Sequence, residues 1–335
     1  MSTGEESQPM EGGPVDVVGV GNAMVDVLTT TTDEFVHGQG LEKGSMSLID
    51  QERATELYGM LGESVQASGG SAANTMAGIA SFGGAAAYIG KVSDDELGKV
   101  FAEDMNDIGV SFSHPTNSSG PPTGMCLVLV TPDAQRTLNT FLGVSSLLEP
   151  DDVLPEVVQR GSLLFCEGYL WDVESAKQAI RKAMDIAIEA GSKVALTLSD
   201  TFCIERHHQE FLELVKGPVD VLFANKAELT TLYECDLDDA VRQVAQDVEL
   251  ACVTLSEDGS WLVSNGEIVE IAAENVGEVI DTTGAGDQYA AGVLYGLSKG
   301  MSLPEVGRLG SLAAAEVISH LGPRPERPLS DFLEW

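Results

Sequence analysis

Apolar positions in this chain follow two periods. Residues 15–21 (VDVVGVG) are a short, nearly continuous apolar run closed by glycine, which predicts a buried strand. Residues 71–82 instead place Ala72, Met76, Ile79 and Ala80 at helical spacing. Residues 85–89 read as a strand and 95–105 as a helix. Residues 125–130 and 137–141 read as an antiparallel pair around a turn at 131–135. Beyond Ser162 the alternation is regular. Strands at 163–166, 194–198, 219–223 and 251–255 alternate with helices at 173–190, 202–216 and 226–233. A strand around 278–280 is expected before two long helices at 285–298 and 303–320.

Strands that alternate with helices predict an α/β fold, with a mostly parallel sheet covered on both faces. Ligands in such sheets bind beyond the carboxyl ends of the strands. Two β-leaning stretches, 28–48 and 115–144, interrupt the alternation and are expected to combine into a small sheet standing over the cleft. The terminal GPRPERPLSDFLEW, with three prolines, reads as a segment wrapping the surface. There is no internal repeat and no long low-complexity linker.

Charge narrows the range of functions. The chain has 335 residues, with 18 Lys and Arg against 53 Asp and Glu, a formal net charge of −35. So anionic a surface repels phosphate backbones and anionic membranes, which argues against nucleic-acid and membrane partners. Disorder does not follow, because 43% of the residues are hydrophobic. The five cysteines (Cys126, Cys166, Cys203, Cys235 and Cys252) are scattered, with no C-x-x-C pair, and read as free thiols of a reducing compartment. Residues 1–13 read as a flexible acidic tail rather than a signal peptide, and no apolar run approaches the ~20 residues of a membrane span. A cytoplasmic protein is expected, with residues 14–335 forming one domain.

Three glycine-rich segments carry candidate chemistry. In Asp281-Thr282-Thr283-Gly284-Ala285-Gly286-Asp287, small residues open a helix. Their N–H groups lack intrahelical partners, and the helix dipole favours an anion there. A carboxylate at Asp287 would repel that anion, unless its task is to take a proton from a hydroxyl attacking a phosphate. In Ser68-Gly69-Gly70-Ser71-Ala72-Ala73-Asn74, the glycines allow close ligand approach, Ser71 reads as an N-cap, and Asn74 projects an amide. In Gly19-Val20-Gly21-Asn22-Ala23-Met24-Val25-Asp26, the third glycine of a dinucleotide fingerprint is missing, and Asp26 could accept bonds from two sugar hydroxyls or be a simple turn carboxylate. No P-loop and no Cys/His metal spacing occurs in the sequence.

Together these segments, with the downstream Gly90-Lys91-Val92-Ser93-Asp94-Asp95-Glu96-Leu97-Gly98, resemble the ribokinase-like (PfkB) family of carbohydrate and nucleoside kinases over nearly the whole chain. The resemblance implies a Rossmann-like sheet with a β lid, here inserted at about 27–50 and 115–144. It implies Asp287 as catalytic base and Gly284, Ala285 and Gly286 as an anion hole. Asp26, Gly69, Gly70 and Asn74 would hold sugar hydroxyls. Asn225 and Glu228 would organise Mg²⁺ and phosphates, partly through water. Thr254, Ser256 and Gly259 would contact ATP, with Ser256 standing where glycine is common.

The strings GNAMVDVL, LVLVTPDAQRTLNTFLG, EGYLWD, LTLSD and AAEVISHLGPRP look most like the adenosine kinase branch, especially its bacterial members. That resemblance implies Arg136 as a lid arginine closing on the phosphates, and Leu138 with Tyr169 or Leu170 against the base, stacking suiting Tyr169. The implied activity is ATP-dependent phosphorylation of the adenosine 5′-hydroxyl to give AMP, a purine-salvage step. A PfkB-type kinase of ribose, fructose or a related sugar is the alternative within the class, and a non-catalytic nucleoside-binding protein is the alternative outside it. The family includes monomers and homodimers, and the sequence does not decide whether a monovalent cation sits beside the anion hole.

Overall fold

The computed structural model describes residues 12–112, 120–133 and 135–333. The acidic tail expected at 1–13 therefore falls, apart from its last two residues, outside the described residues, as do residues 115–119 of the second lid segment.

Among the described residues the backbone forms two sheets. The large one has nine strands, in the order Glu267–Ile271, Ser260–Ser264, Leu250–Thr254, Val221–Asn225, Lys193–Thr197, Gly161–Glu167, Val15–Val20, Ala86–Ile89 and Val110–Phe112. Its pairings are parallel except for the hairpin of the first two strands and its junction with the third. Consecutive residues of one strand feed opposite faces. Val18, Leu164 and Cys166 enter one core, and Val17, Leu163 and Phe165 the other. That double burial is why these strands read as unbroken apolar runs. Each such large side chain contributes about 1.5–3 kcal/mol.

The second sheet has five strands, in the order Met46–Leu48, Arg136–Phe141, Gly124–Val130, Met24–Thr30 and Val65–Gly69. The β-leaning stretches do combine, and Gly124–Val130 and Arg136–Phe141 pair antiparallel as expected. Val25, Val27 and Leu127 face the main core, while Met24, Cys126 and Val128 pack on the other side.

Three expectations need correction. Residues 278–280 are not a strand; Val279 is 53% exposed and Ile280 47%. The two β-branched residues mimic strand composition, but the backbone here is tied to a helix end: the Ile280 N–H donates to the Ile318 carbonyl at 2.9 Å. The first β-leaning stretch contains a helix at Asp33–Gly38, started by Thr32 accepting from the Phe35 N–H. The helix Gln51–Met60, capped by Asp50, follows it. The terminal segment does not merely wrap the surface: Leu329 is fully buried against Phe82 and Tyr295, and Arg324 turns inward. The helices Lys226–Tyr233 and Ala285–Ser298 have the expected bounds, while the last helix stops at Val317. Among the described residues, no helix is long and apolar enough to cross a membrane.

Candidate active site

From Val15–Val20 the chain builds outward on both sides, with Ala86–Ile89 on one flank and Gly161–Glu167 on the other. A cleft opens beyond the carboxyl ends at such a switch point. A cavity of about 800 Å³ lies there, walled by the ends of the large sheet, one face of the small sheet and two helix N-termini.

Those two helices, Ser71–Ser81 and Ala285–Ser298, bring their first turns together. Gly284 begins the second at φ +80°, and a Cβ there would lie 2.6 Å from Pro323. Gly70 precedes the first at φ +105°, where a Cβ would strike the Asn22 carbonyl. Neither position admits a side chain. Ser71 is not the N-cap expected. Its Oγ instead donates to Asp287 Oδ1 at 2.6 Å, while Asn74 Nδ2 donates to Asp287 Oδ2 at 3.1 Å. Burial raises Asp287 above the ordinary carboxylate range, against the lowering by these two bonds and by Arg324.

Asp26 sits inside the strand Met24–Thr30 of the small sheet, not at a strand's carboxyl end, and faces the same cavity. Burial pushes it up to about 6, offset in part by Arg324 and Arg136, with the Asp287 charge adding to the rise. Gly69 flanks it without lining the cavity; a Cβ there would lie 2.5 Å from the Asp26 carboxyl.

At the other end, Asn225, Glu228 and Thr254 line the cavity. Asn225 and Glu228 form a capping box. Asn225 N and Nδ2 donate to the Glu228 carboxylate at 2.9 and 2.6 Å, and Glu228 N donates back to Asn225 Oδ1 at 2.9 Å. Burial lifts Glu228 to about 7. Ser256 and Gly259 lie in the turn between Leu250–Thr254 and Ser260–Ser264 and do not line the cavity. Ser256 adopts φ +57°, the left-handed conformation that explains why glycine suits the position.

Leu138 and Tyr169 both line the cavity, and the Tyr169 hydroxyl donates to the Ser199 carbonyl at 3.2 Å. Arg136 is buried behind the wall and paired with Asp281 at 2.8 Å. Its Nε and Nη2 have no hydrogen-bond partner among the described residues.

Sequence reasoning missed a second layer of polar groups. Glu167, 1% exposed at the end of its strand, accepts from Asn22 Nδ2 at 2.8 Å and from the Ala72 N–H at 3.0 Å. Burial lifts it to about 7. It ties together the carboxyl ends of two strands and the start of a helix. A carboxylate ending the apolar run SLLFCE was the available signal. Arg324 was missed as well, because its partners are distant in sequence.

Chemically, the cavity offers a carboxylate base, two carboxylate and amide acceptors for hydroxyls, and helix-terminal N–H groups for an anion. It also offers the oxygen donors Glu228 and Asp200, with apolar and aromatic walls from the small sheet and Tyr169. Among the described residues, no cluster of three or more His, Cys, Asp or Glu could by itself cage a metal.

The family profile described as pfkB family carbohydrate kinase matches residues 44–329. A solved chain described as adenosine kinase from Sinorhizobium meliloti is 47% identical, with TM-score 0.88, covering 96% of this chain and 99% of that one. A probable sugar kinase protein from Rhizobium etli is 43% identical, with TM-score 0.88, covering 96% and 98%. A curated relative from Archaeoglobus fulgidus, described as an uncharacterized sugar kinase, is 27% identical over 259 residues, covering 76% of this chain and 99% of its own.

Proposed function

The chain belongs to the pfkB family of carbohydrate kinases, phosphotransferases with an alcohol acceptor, and on that premise we propose that its acceptor is adenosine, phosphorylated at the 5′-hydroxyl to give AMP and ADP. The observation that carries this reading is the wall of the cavity. Asp26, Gly70 and Asn74 share it with Met24, Leu138, Leu142 and Tyr169, more apolar surface than a bare sugar ring can cover. A flat purine suits such a wall. The volume of about 800 Å³ falls within the ~300–1,000 Å³ usual for small-molecule sites. The likeness to a chain described as adenosine kinase supports the same choice.

In this reading Asp26 and Asn74 orient the ribose. Asp287 removes the proton from the 5′-hydroxyl as its oxygen attacks the γ-phosphorus; the new O–P bond forms as the bond to the β,γ-bridging oxygen breaks, and ADP departs with that electron pair. The N–H groups at Gly284 and Gly286 face the charge spreading on the transferring group; the Ala285 N–H, expected to join them, already donates to the Thr282 carbonyl at 3.2 Å and would have to share that bond. Mg²⁺, when bound, neutralises phosphate oxygens. Glu228 and Asn225 fit a hold on it through water, because both Glu228 oxygens already accept protein N–H groups. Arg136 would reach a phosphate by leaving Asp281.

A sugar kinase is the second reading, favoured by the described activity of the curated relative, and Asp26, Gly70 and Asn74 would serve it equally. Coupled ADP-release assays across adenosine, inosine, ribose and fructose separate the two. Adenosine is expected to give the highest kcat/KM; a higher value for ribose or fructose would replace this reading with the second.

A further inference from the structure

Arg324 belongs to the terminal GPRP segment and lies outside the cavity wall, yet it is wired to the wall's reactive carboxylate. Its side chain is 17% exposed, and all three guanidinium nitrogens donate. Nη1 donates to Asp104 at 3.0 Å, Nη2 to Ser68 Oγ at 2.8 Å, and Nε to Asn74 Oδ1 at 3.2 Å. Asn74 is the link, since its other amide atom, Nδ2, donates to Asp287. The reverse amide orientation would set donor against guanidinium and oxygen against carboxylate. Arg324 therefore allows one orientation only.

We propose that Arg324 is a positioning residue for phosphoryl transfer, locking the Asn74 amide so that it holds the Asp287 carboxylate in place and offsetting the repulsion between Asp287 and Asp26. The inference rests on Asp287 being the base. Charged and titratable groups converge on this point from every neighbouring element. Asp26 comes from the small sheet, Asp104 from the helix Glu96–Asp107, Glu167 and Tyr88 from the large sheet, and Arg136 from the small sheet. Among them Arg324 lowers both Asp287 and Asp26. Its own charge is held by Asp104.

The test is the pH profile of kcat and kcat/KM for adenosine in the parent, Arg324→Met, Arg324→Lys, Asp104→Asn and Asp287→Asn, with melting temperatures in parallel. In Arg324→Met, kcat is expected to fall about 10²-fold, as for a misplaced catalytic group. Its acid limb is expected to move to higher pH, because the base loses its neighbouring cation. Arg324→Lys keeps the charge, so its limb stays while kcat falls. Asp104→Asn frees the Arg324 field, and its limb is expected to move to lower pH. An unmoved limb in Arg324→Met, even with lowered kcat, would overturn the proposal in favour of a packing role. If that variant does not fold, an unmoved limb in Asp104→Asn overturns it instead. Near-parent kcat in Asp287→Asn would show that the base reading had failed, a result distinguishable from failure at Arg324 alone.

Discussion

At the end of the cleft proposed to hold the acceptor, Asp287 is held by Ser71 and Asn74, residues 216 and 213 positions away in the chain. At the end proposed for the nucleotide, Asn225 and Glu228 hold each other across three positions, and Ser256 adopts its left-handed conformation within a turn. The acceptor end is assembled by the fold, with hydrogen-bond partners already aimed at the carboxylate proposed as the base. The nucleotide end is satisfied locally, and its side chains must share or release existing bonds to meet phosphates and metal. Preorganisation of the first kind aids catalysis, because no reorientation remains at the moment of reaction. Local satisfaction of the second kind keeps a helix start intact while the site is empty.

Substitutions at the two ends should separate these behaviours. The largest effect is expected in Asp287→Asn, which keeps the shape and removes the base. Its kcat should fall ~10²–10⁴-fold while KM for adenosine stays near the parent value; steady-state kinetics measure both. Asp26→Asn should act mainly on KM for the acceptor, by ~10–10²-fold, the equivalent of a ~1.5–3 kcal/mol charged hydrogen bond. At the nucleotide end, Glu228→Gln should weaken Mg²⁺-dependent nucleotide use by about tenfold, as for an outer-shell ligand, with adenosine binding unaffected; a Mg²⁺ titration of the rate would show it. An equal loss of adenosine affinity would erase the distinction between the two ends.

The smallest effect concerns stability. Burial lifts Glu167 from 4.5 to about 7, so the folded chain holds its proton more tightly than the unfolded chain. Stability from this group is present in full at low pH and is lost as pH rises from about 4.5 through about 7. Asp26, lifted to about 6, acts in the same direction. Melting temperature should decline between pH 5 and 8 in the parent, and Glu167→Gln should flatten the decline.

The same contrast explains what could be read from the residues alone. The parallel strands were legible because they are buried on both faces, and the helix starts at Asn225 and Gly284 because their signals lie within a few residues. The family motifs pointed to Asp26, Asn74 and Asp287, but not to the bond between Asn74 and Asp287. Arg324 was invisible as a site residue: nothing near GPRP announces that its partners are Ser68, Asn74 and Asp104. Glu167 and Asn22 are joined only when two strands lie side by side. The absent strand at 278–280 has the same origin, since the Ile280 N–H is taken by the Ile318 carbonyl, a partner that nothing near Ile280 in the sequence announces.

The acidity of the chain takes on a different meaning beside this site. Its 18 basic residues supply few cations to the cleft: Arg206 on the wall is paired with Asp172, and Arg136 and Arg324, behind the wall, are paired with Asp281 and Asp104. On the proposed function, attraction for phosphate then falls to helix-terminal N–H groups and to Mg²⁺.

Titration calorimetry of adenosine into the enzyme without nucleotide or Mg²⁺ tests most directly whether the acceptor end is built before any ligand arrives. The account predicts saturable binding that survives in Asp287→Asn and is weakened ~10–10²-fold in Asp26→Asn. Binding that appears only once a nucleotide is present would contradict it.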